Sequence, residues 1–517
     1  MDRNNAQVTF PKATGFGQIM DRAIADYPDE EAMVCCKWRI TYGELGRLIN
    51  KTANMLRANG VTKGSTVAVV SRNSIEFMIA DMAILKLGAI SVKFSWRLSP
   101  KEMKYLFELN NVKWTFYRPE TEEWAKEMYE YFEGRIQCFD LRVNEEESPI
   151  YAMTQEYSDE AVEVEVSGDD PAFHMHTSGT TGVPKCVVYT HGSILRELES
   201  TLMSFHYVPG QVYQFVSQMF HSAGMGAYMV LSTGGKLIIK SCFSVDDYMR
   251  TLESEKVNAI GVVPIVLKSI LDAQERGNYD LSNLKVINYS TCPISPDLLA
   301  RAMSKLDCRF YQAYGMTEMA SVVTVLLPEE HFIDDGAHLK SVGRPIFGAD
   351  VKIVDEEGKE CPVGVVGEIL AKGPGMMKEY FGRPEQTQNV IRDGWYYTKD
   401  MGYLDDKGYL FICGRKDSLI ISGGENIYPE EVSNVIQLLS DDVAEVCVYG
   451  VPDELWGEHV KASVVLAPGS KLTAEALTAF CRKHMPRFRV PKEIEFLPQL
   501  PKNASGKVLV NQLKNRK

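Results

Sequence analysis

The sequence predicts an α/β protein of more than one domain, and three observations predict it. A strand–helix–strand rhythm in the N-terminal part implies parallel sheet with helices on its faces. From about residue 350 strands shorten and glycine turns multiply, at Glu357-Gly358, Gly364, Gly367 and Asp406-Lys407-Gly408. That texture predicts a β-rich subdomain. Finally, 517 residues exceed what a single core supports.

The elements follow in order. Thr66-Val67-Ala68-Val69-Val70 is a short apolar strand. Asn73 or Ser74 is placed to cap the next helix, in which Ile75, Met78, Ile79, Met82 and Leu85 share a face and Gly88 marks the stop. Ile90-Ser91-Val92 returns as a strand. The rhythm recurs over 259–314, with a strand at 260–263, a helix after Pro264, a strand at 286–289, a helix after Pro296 and a strand at 309–311. After Asp417 comes a compact α+β tail, with strands near 443–449, 463–466 and 494–496 and a helix over 473–484. There is no internal repeat, low-complexity tract or coiled coil.

Composition excludes several function classes. A formal net charge of −13 argues against bulk nucleic-acid binding, so polyanionic ligands must be met by local positive groups. The N-terminus reads as no signal peptide. The most apolar run, 77–92, is broken by Asp81 and Lys86 and is too short to span a membrane. Eleven cysteines, scattered apart from Cys35 and Cys36 and without a C-x-x-C pair, predict reduced thiols in a cytoplasmic protein. His174 and His176 alternate along an expected strand with no H-E-x-x-H beside them, so they read as structural and not as zinc ligands.

The most informative string is Thr177-Ser178-Gly179-Thr180-Thr181-Gly182-Val183-Pro184-Lys185. Interleaved glycines and hydroxyls let backbone N–H groups, side-chain hydroxyls and one lysine converge on an anion. It is not the Walker pattern, because Pro184 precedes Lys185, which lies three residues after Gly182. Downstream, in order, stand Tyr314-Gly315-Met316-Thr317-Glu318, Ser341-Val342-Gly343-Arg344-Pro345 and Gly394-Trp395-Tyr396-Tyr397-Thr398-Lys399-Asp400. Then come Gly414-Arg415-Lys416-Asp417, Gly423-Gly424-Glu425-Asn426-Ile427-Tyr428-Pro429 and Pro501-Lys502-Asn503-Ala504-Ser505-Gly506-Lys507. Together these motifs resemble the acyl-adenylate-forming superfamily of acyl- and aryl-CoA ligases, adenylation domains and luciferases, over nearly the whole chain.

The resemblance implies a large N-terminal domain of two βαβ-type sheet subdomains plus a β-rich one, residues 1–415. It also implies a small mobile α+β C-terminal domain, residues 416–517, that carries the catalytic lysine. The implied chemistry has two steps in one site. A carboxylate attacks the α-phosphate of ATP and expels pyrophosphate; the thiol of CoA then displaces AMP. The first step brings two anions together and needs fixed counter-charge and donors.

By resemblance, Thr177, Ser178, Gly179, Thr180, Thr181, Gly182 and Lys185 hold the β- and γ-phosphates. Thr317 bonds the α-phosphate, and Glu318 holds Mg²⁺ beside it, one carboxylate among phosphate oxygens and water being an ordinary magnesium environment. Asp400, assisted by Arg415, takes the ribose hydroxyls. Adenine lies between Ser290-Thr291-Cys292 and the Tyr314 ring, next to Gly315. Lys507 bridges the acid's carboxylate and the α-phosphate. Asp417 is the hinge whose rotation withdraws Lys507 and brings Gly423 and Gly424 to the site, where CoA's pantetheine passes. His221 resembles an aromatic gate between acyl and thiol channels.

The sequence departs from the family's usual form at several positions. Thr291 and Cys292 stand in a normally glycine-rich stretch, Cys186 and Lys399 where glycine is usual, Lys93 where proline is, and His176 where an aromatic is. A β-carbon at 399 matters if that turn needs positive φ. The acyl pocket is expected around 221–224, Val263, Pro264, 290–293, Gly315 and Met316, mostly apolar and without an arginine. A medium-chain, branched, alicyclic or aromatic acid is therefore expected over a dicarboxylate, with breadth favoured by methionine. Two alternatives remain at this stage: an adenylating enzyme with another acceptor, either a stand-alone enzyme loading a carrier protein or an oxygenating luciferase, or a non-enzymatic acyl or nucleotide sensor. The resemblance allows a homodimer, although no interface is legible.

Overall fold

The structure, a computed structural model, describes residues 15–142, 148–177, 184–277, 279–291, 294–439, 442–502 and 508–516. Four sheets organise it. A seven-stranded sheet runs, in spatial order, Glu379–Tyr380, Lys185–Thr190, Pro171–Thr177, Ile90–Lys93, Thr66–Val70, Trp114–Tyr117 and Gln137–Asp140. Its last five strands pair in parallel, and the first two are antiparallel additions. A nine-stranded sheet places six parallel strands between an antiparallel hairpin edge, Trp38–Thr41, and two short antiparallel strands, Thr324–Leu326 and Arg344–Pro345. The expected β-rich subdomain is there: Asp350–Val354, Gly367–Lys372, Ile391–Arg392, Trp395–Leu404 and Leu410–Arg415 form an antiparallel sheet.

The tail is the expected α+β unit with its own apolar core around Ile420, Val432, Val448, Val464, Leu477 and Cys481. Its central strands are longer than predicted, Val443–Asp453 and Gly457–Leu466. The two form one long hairpin whose tip is pinned by Asp453, which accepts from the amides of Leu455 and Trp456. Among the described residues no helix is long and apolar enough to cross a membrane.

Ser74 caps the helix Ile75–Lys86, accepting from the Phe77 amide at 3.1 Å. The single apolar face expected of that helix is wrong, because every residue from Ile75 to Leu85 is buried. The helix packs against the helix Tyr42–Ala58 and the Phe16 turn as well as its own sheet, so even Asp81 must be satisfied internally. It is satisfied by Lys93, at the end of the strand Ile90–Lys93; both side chains are 0% exposed and their charged atoms stand 2.8 Å apart. Lys93 also donates to the Tyr228 hydroxyl at 2.8 Å and lies 4.2 Å from the Phe173 ring centroid, while Ser91 donates to Asp81. Burial holds the Lys93 ammonium below its usual pKa, with Asp81 pulling the other way.

Candidate active site

Four parallel strands of the nine-stranded sheet end at one edge: Val212–Phe215, Ala259–Val262, Val286–Ser290 and Arg309–Tyr314. The segments leaving their carboxyl ends carry His221, Pro264, Thr291 and Thr317, the position at which open α/β sheets bind ligands. Ser290 pairs with Ala313, so 290–291 run alongside 313–315.

The hairpin Pro171–Thr177 and Lys185–Thr190 closes with Thr177 opposite Lys185. Ser178, Gly179, Thr180, Thr181 and Gly182 lie outside the described residues, as do Cys292 and Lys507. The Lys185 ammonium sits 4.6 Å from the centroid of the Tyr380 ring. The Tyr380 hydroxyl donates to Glu318 Oε1 at 2.7 Å and lies 3.4 Å from the Tyr396 hydroxyl. Tyr380 thus joins the lysine of one motif to the carboxylate of another. Burial lowers the pKa of Lys185, and the Glu318 charge partly restores it.

Thr317 and Glu318 lie on a single 3₁₀ turn, Thr317–Met319, followed by Ala320 at φ 56° and Ser321 at φ 133°. Such conformations cost about 1–3 kcal/mol each and persist only where surroundings enforce them. The surroundings are visible. Tyr189 donates to the Thr317 carbonyl, the Met377 amide donates to the Glu318 carbonyl at 2.8 Å, and the Val322 amide donates to Glu197 Oε1 at 3.2 Å. Gly315 is required here, since a β-carbon would stand 1.6 Å from the Ser321 carbonyl oxygen. Glu197 is buried deeply enough that its carboxyl is pushed up to about 8. Neither Glu197 nor Tyr380 belongs to a sequence motif, and both were missed.

Asp400 accepts from the Tyr314 hydroxyl at 2.6 Å and from Arg415 Nη1 at 2.7 Å, and its amide donates to Thr398 Oγ1 at 2.9 Å. The arginine pair follows from strand register, Asp400 standing opposite Arg415. The concern over residue 399 is justified, for Lys399 has φ 63°. Its ammonium reaches Asp417 at 3.0 Å, and Lys416 reaches Glu368 at 2.9 Å, so the segment at the expected hinge is tied back to the β-rich sheet. Thr291 likewise takes φ 81°, where a glycine would be unstrained.

His221 begins the turn Ser222–Gly224, and the segment before it is held by Asn73, whose amide donates to the Ser217 carbonyl at 2.8 Å and accepts from the Met219 amide at 2.9 Å. Burial, then the nearby Arg97 charge, lowers the His221 pKa to about 4, so the ring is neutral at working pH. Arg97 is exposed, stacks on Trp96 at 4.6 Å, and was not among the residues expected near the acyl pocket. Gly423 and Gly424 form the two-residue turn of the hairpin Ile420–Ser422 and Glu425–Ile427, at φ 61° and 87°. That turn needs both glycines whatever passes it. A β-carbon at 423 would also strike the Trp456 ring at 2.5 Å, whereas nothing lies within 4 Å of one at 424.

Lys185, Tyr380, Glu318 and Tyr396 therefore form one polar cluster and Tyr314, Asp400 and Arg415 another, with the Arg415 charge acting on Tyr396 between them. No cluster of three or more His, Cys, Asp or Glu able to hold a metal exists among the described residues. Glu318 keeps one oxygen free of Tyr380, and a lone carboxylate of this kind fits a magnesium ion completed by phosphate and water, not a zinc site.

A sequence profile described as "AMP-binding enzyme" matches residues 20–381, and one described as "AMP-binding enzyme C-terminal domain" matches 433–507. A feruloyl-CoA synthase from an Amycolatopsis species is 33% identical over 484 residues, 92% of this chain and 94% of that protein. A fatty acid–[acyl-carrier-protein] ligase of Streptomyces coeruleorubidus is 31% identical over 495 residues, 95% and 94% of the two chains. The solved structure of o-succinylbenzoate CoA synthetase from Bacillus subtilis, in complex with its acyl-adenylate intermediate, superposes with a TM-score of 0.86 at 31% identity, covering 97% of this chain and 98% of that one.

Proposed function

This chain belongs to the AMP-binding enzymes and is an AMP-forming acid–thiol ligase that uses ATP, Mg²⁺ and CoA; from that premise we propose which residues carry its two steps and which acids it takes. Lys185 and the 177–185 loop neutralise the β- and γ-phosphates. Asp400, oriented by Tyr314 and Arg415, receives the ribose hydroxyls. Thr317 donates to the α-phosphate, and Glu318 would hold the magnesium ion. When bound, that ion supplies positive charge to the phosphate oxygens as pyrophosphate departs. Lys507 stabilises the charge growing between carboxylate and α-phosphorus. The carboxylate oxygen–phosphorus bond forms as the phosphorus–oxygen bond to pyrophosphate breaks.

For the second step, we assign residues 1–415 and 416–517 to two bodies with Asp417 at the hinge. The Lys399–Asp417 pair joins two side chains that are each 48% exposed, so it opposes rotation by about 1 kcal/mol or less. Gly424, with open space beyond it, borders the thiol's path. His221, a neutral ring, is assigned as the gate between the acyl and thiol channels. Attack of sulfur on the acyl carbon forms the thioester and expels AMP.

The observation that carries the assignment is the Lys185–Tyr380–Glu318 contact beside the Tyr314–Asp400–Arg415 triad, a phosphate cradle next to a sugar clamp. The acyl partner we propose is a medium-chain, branched, alicyclic or aromatic acid, supported by apolar Val263 and Met316 and by the aromatic acid named for the feruloyl-CoA relative. The carrier-protein ligase among the relatives favours one second reading, a carrier as acceptor. Pyrophosphate release is to be measured over a panel of acids with and without CoA. Sustained release only with CoA supports the proposal and names the acid. A single-turnover burst that CoA does not relieve favours the carrier, and no release with any acid of these classes refutes the substrate assignment.

A further inference from the structure

Behind the phosphate loop lies a buried cluster that the chemistry above does not use. His174 and His176, on the strand leading into the loop, and Cys186, on the strand leaving it, all converge on Asn110, the residue ending the helix Pro100–Leu109. Asn110 and Cys186 are fully buried and His174 nearly so. His176 and Cys186 face each other in register, one position from the Thr177–Lys185 pair that closes the loop.

Two backbone carbonyls fix every donor in the cluster. Asn110 Nδ2 lies 2.8 Å from the Leu106 carbonyl and 2.9 Å from His176 Nε2. A carbonyl only accepts, so that atom is the amide nitrogen, and both of its hydrogens are used. His176 Nδ1 lies 3.2 Å from the Lys93 carbonyl and must carry the ring's hydrogen. Its Nε2 is then the acceptor that Asn110 needs. Asn110 Oδ1 accepts from His174 Nδ1 at 2.9 Å and from the Cys186 thiol at 3.3 Å. One amide therefore satisfies both strands at once; protonating His176 would set N–H against N–H at Asn110 Nδ2, and ionising Cys186 would set a thiolate against Asn110 Oδ1. The Phe94 ring packs against His176 and the Phe381 ring against His174, both tilted, while Arg383 and Glu379 are the charged groups acting on Cys186. Burial keeps both imidazoles well below their usual range.

We propose that Asn110 is a positioning residue for ATP: through His176 and Cys186 it fixes the spacing of the two strands that present Thr177 and Lys185 to the phosphates. The proposal rests on reading 177–185 as the phosphate loop. The predicted defect is specific. Losing Asn110 loosens the ATP cradle and leaves the acid pocket and the thioester step alone.

The test uses the full-length enzyme with Asn110→Leu, Asn110→Asp and Lys185→Ala. The KM for ATP and for the acid are measured by pyrophosphate release, and thioester formation is measured separately from a preformed acyl-adenylate and CoA. Asn110→Leu is expected to raise the KM for ATP about 10-fold, with the other two parameters within about 2-fold. Asn110→Asp, which is nearly isosteric, places a carboxylate oxygen opposite His176 Nε2 and the Leu106 carbonyl, so the bond to the ring forms only when the carboxylate–imidazole pair takes up a proton. Its KM for ATP is expected to fall from pH 8 to pH 6 while the wild type stays flat. Unchanged ATP affinity in both Asn110 variants, with Lys185→Ala impaired, overturns the proposal. Equal losses in both half-reactions and no pH response also overturn it, since that is general destabilisation. If Lys185→Ala leaves ATP use unchanged, the loop reading fails first.

Discussion

Removing the charge of Asp81 exposes what the buried Lys93 costs. The two charged atoms are 2.8 Å apart and wholly buried, with the Ser91 and Tyr228 hydroxyls as polar neighbours, so at an effective dielectric of about 20 their attraction is about 6 kcal/mol. Desolvation of both ions cancels most of that, and deleting one partner of a buried pair costs about 3–5 kcal/mol because the other charge is stranded. Asparagine keeps a dipole towards Lys93, so Asp81→Asn should fall near the lower end, about 3 kcal/mol, or roughly 3–4 °C in the melting temperature of a domain this large.

The loss should depend on pH with a definite sign. Lys93 already has a pKa lowered by burial, and Asp81 is what raises it. Without Asp81 the folded state binds the proton more weakly than the unfolded chain does, so stability rises with pH. The deficit of Asp81→Asn is therefore largest at pH 6 and smaller at pH 9. The double variant Asp81→Asn/Lys93→Met should recover most of the loss, since neither charge is then buried. Thermal melts of the wild type and the two variants at both pH values decide it. A single-variant loss under about 1 kcal/mol, or one equal at pH 6 and pH 9, would refute the reasoning.

Four further outcomes are expected. Tyr380→Phe keeps the ring beside Lys185 but loses the bond to Glu318, and should slow adenylate formation about 10-fold, a bond to a charged group contributing about 1.5–3 kcal/mol; ATP–pyrophosphate exchange measures it. Asp400→Ala should raise the KM for ATP by roughly 10–100-fold without altering the KM for the acid. Glu197, with its carboxyl raised to about 8, binds its proton more tightly folded than unfolded. Stability should consequently fall as pH rises from about 4.5 to 8, and Glu197→Gln should remove that slope in melts taken across the window. His221, neutral above about pH 4, should impose no step near pH 6.5 on thioester formation, so the wild type and His221→Phe should give parallel profiles between pH 5 and 8.

Local pattern made much of this legible and long-range pairing made the rest invisible. The strand at 66–70, the Ser74 cap and the Pro264 and Pro296 helix starts follow from periodicity and capping chemistry that act within a few residues. The site motifs were legible because glycine, a lone lysine and spaced acids are rarely placed so by chance. What failed to show was anything whose meaning lies in a distant partner. Asp81 looked like an interruption of an apolar face until Lys93 was seen beside it. Tyr380 sits outside every motif, yet its hydroxyl holds Glu318 because a two-residue strand adds to the edge of the phosphate hairpin. Asn110 is an unremarkable helix end in the sequence and meets His176 only across the sheet. The departures at 291 and 399 were flagged from residue type alone, and the positive φ at both shows why glycine suits them.

The nine-stranded sheet also sets a timetable. Its strand Glu31–Cys35 pairs on one side with the adjacent Trp38–Thr41, but on the other with Lys236–Ile239, Val34 standing beside Ile238. At ribosomal speeds of about 5–20 residues per second, that second neighbour arrives roughly 10–40 s after the first strand. Through that interval the nascent hairpin presents an apolar, unpaired edge, the kind that invites pairing with other chains. Products that terminate before residue 236 should therefore aggregate or be degraded instead of accumulating as a folded fragment.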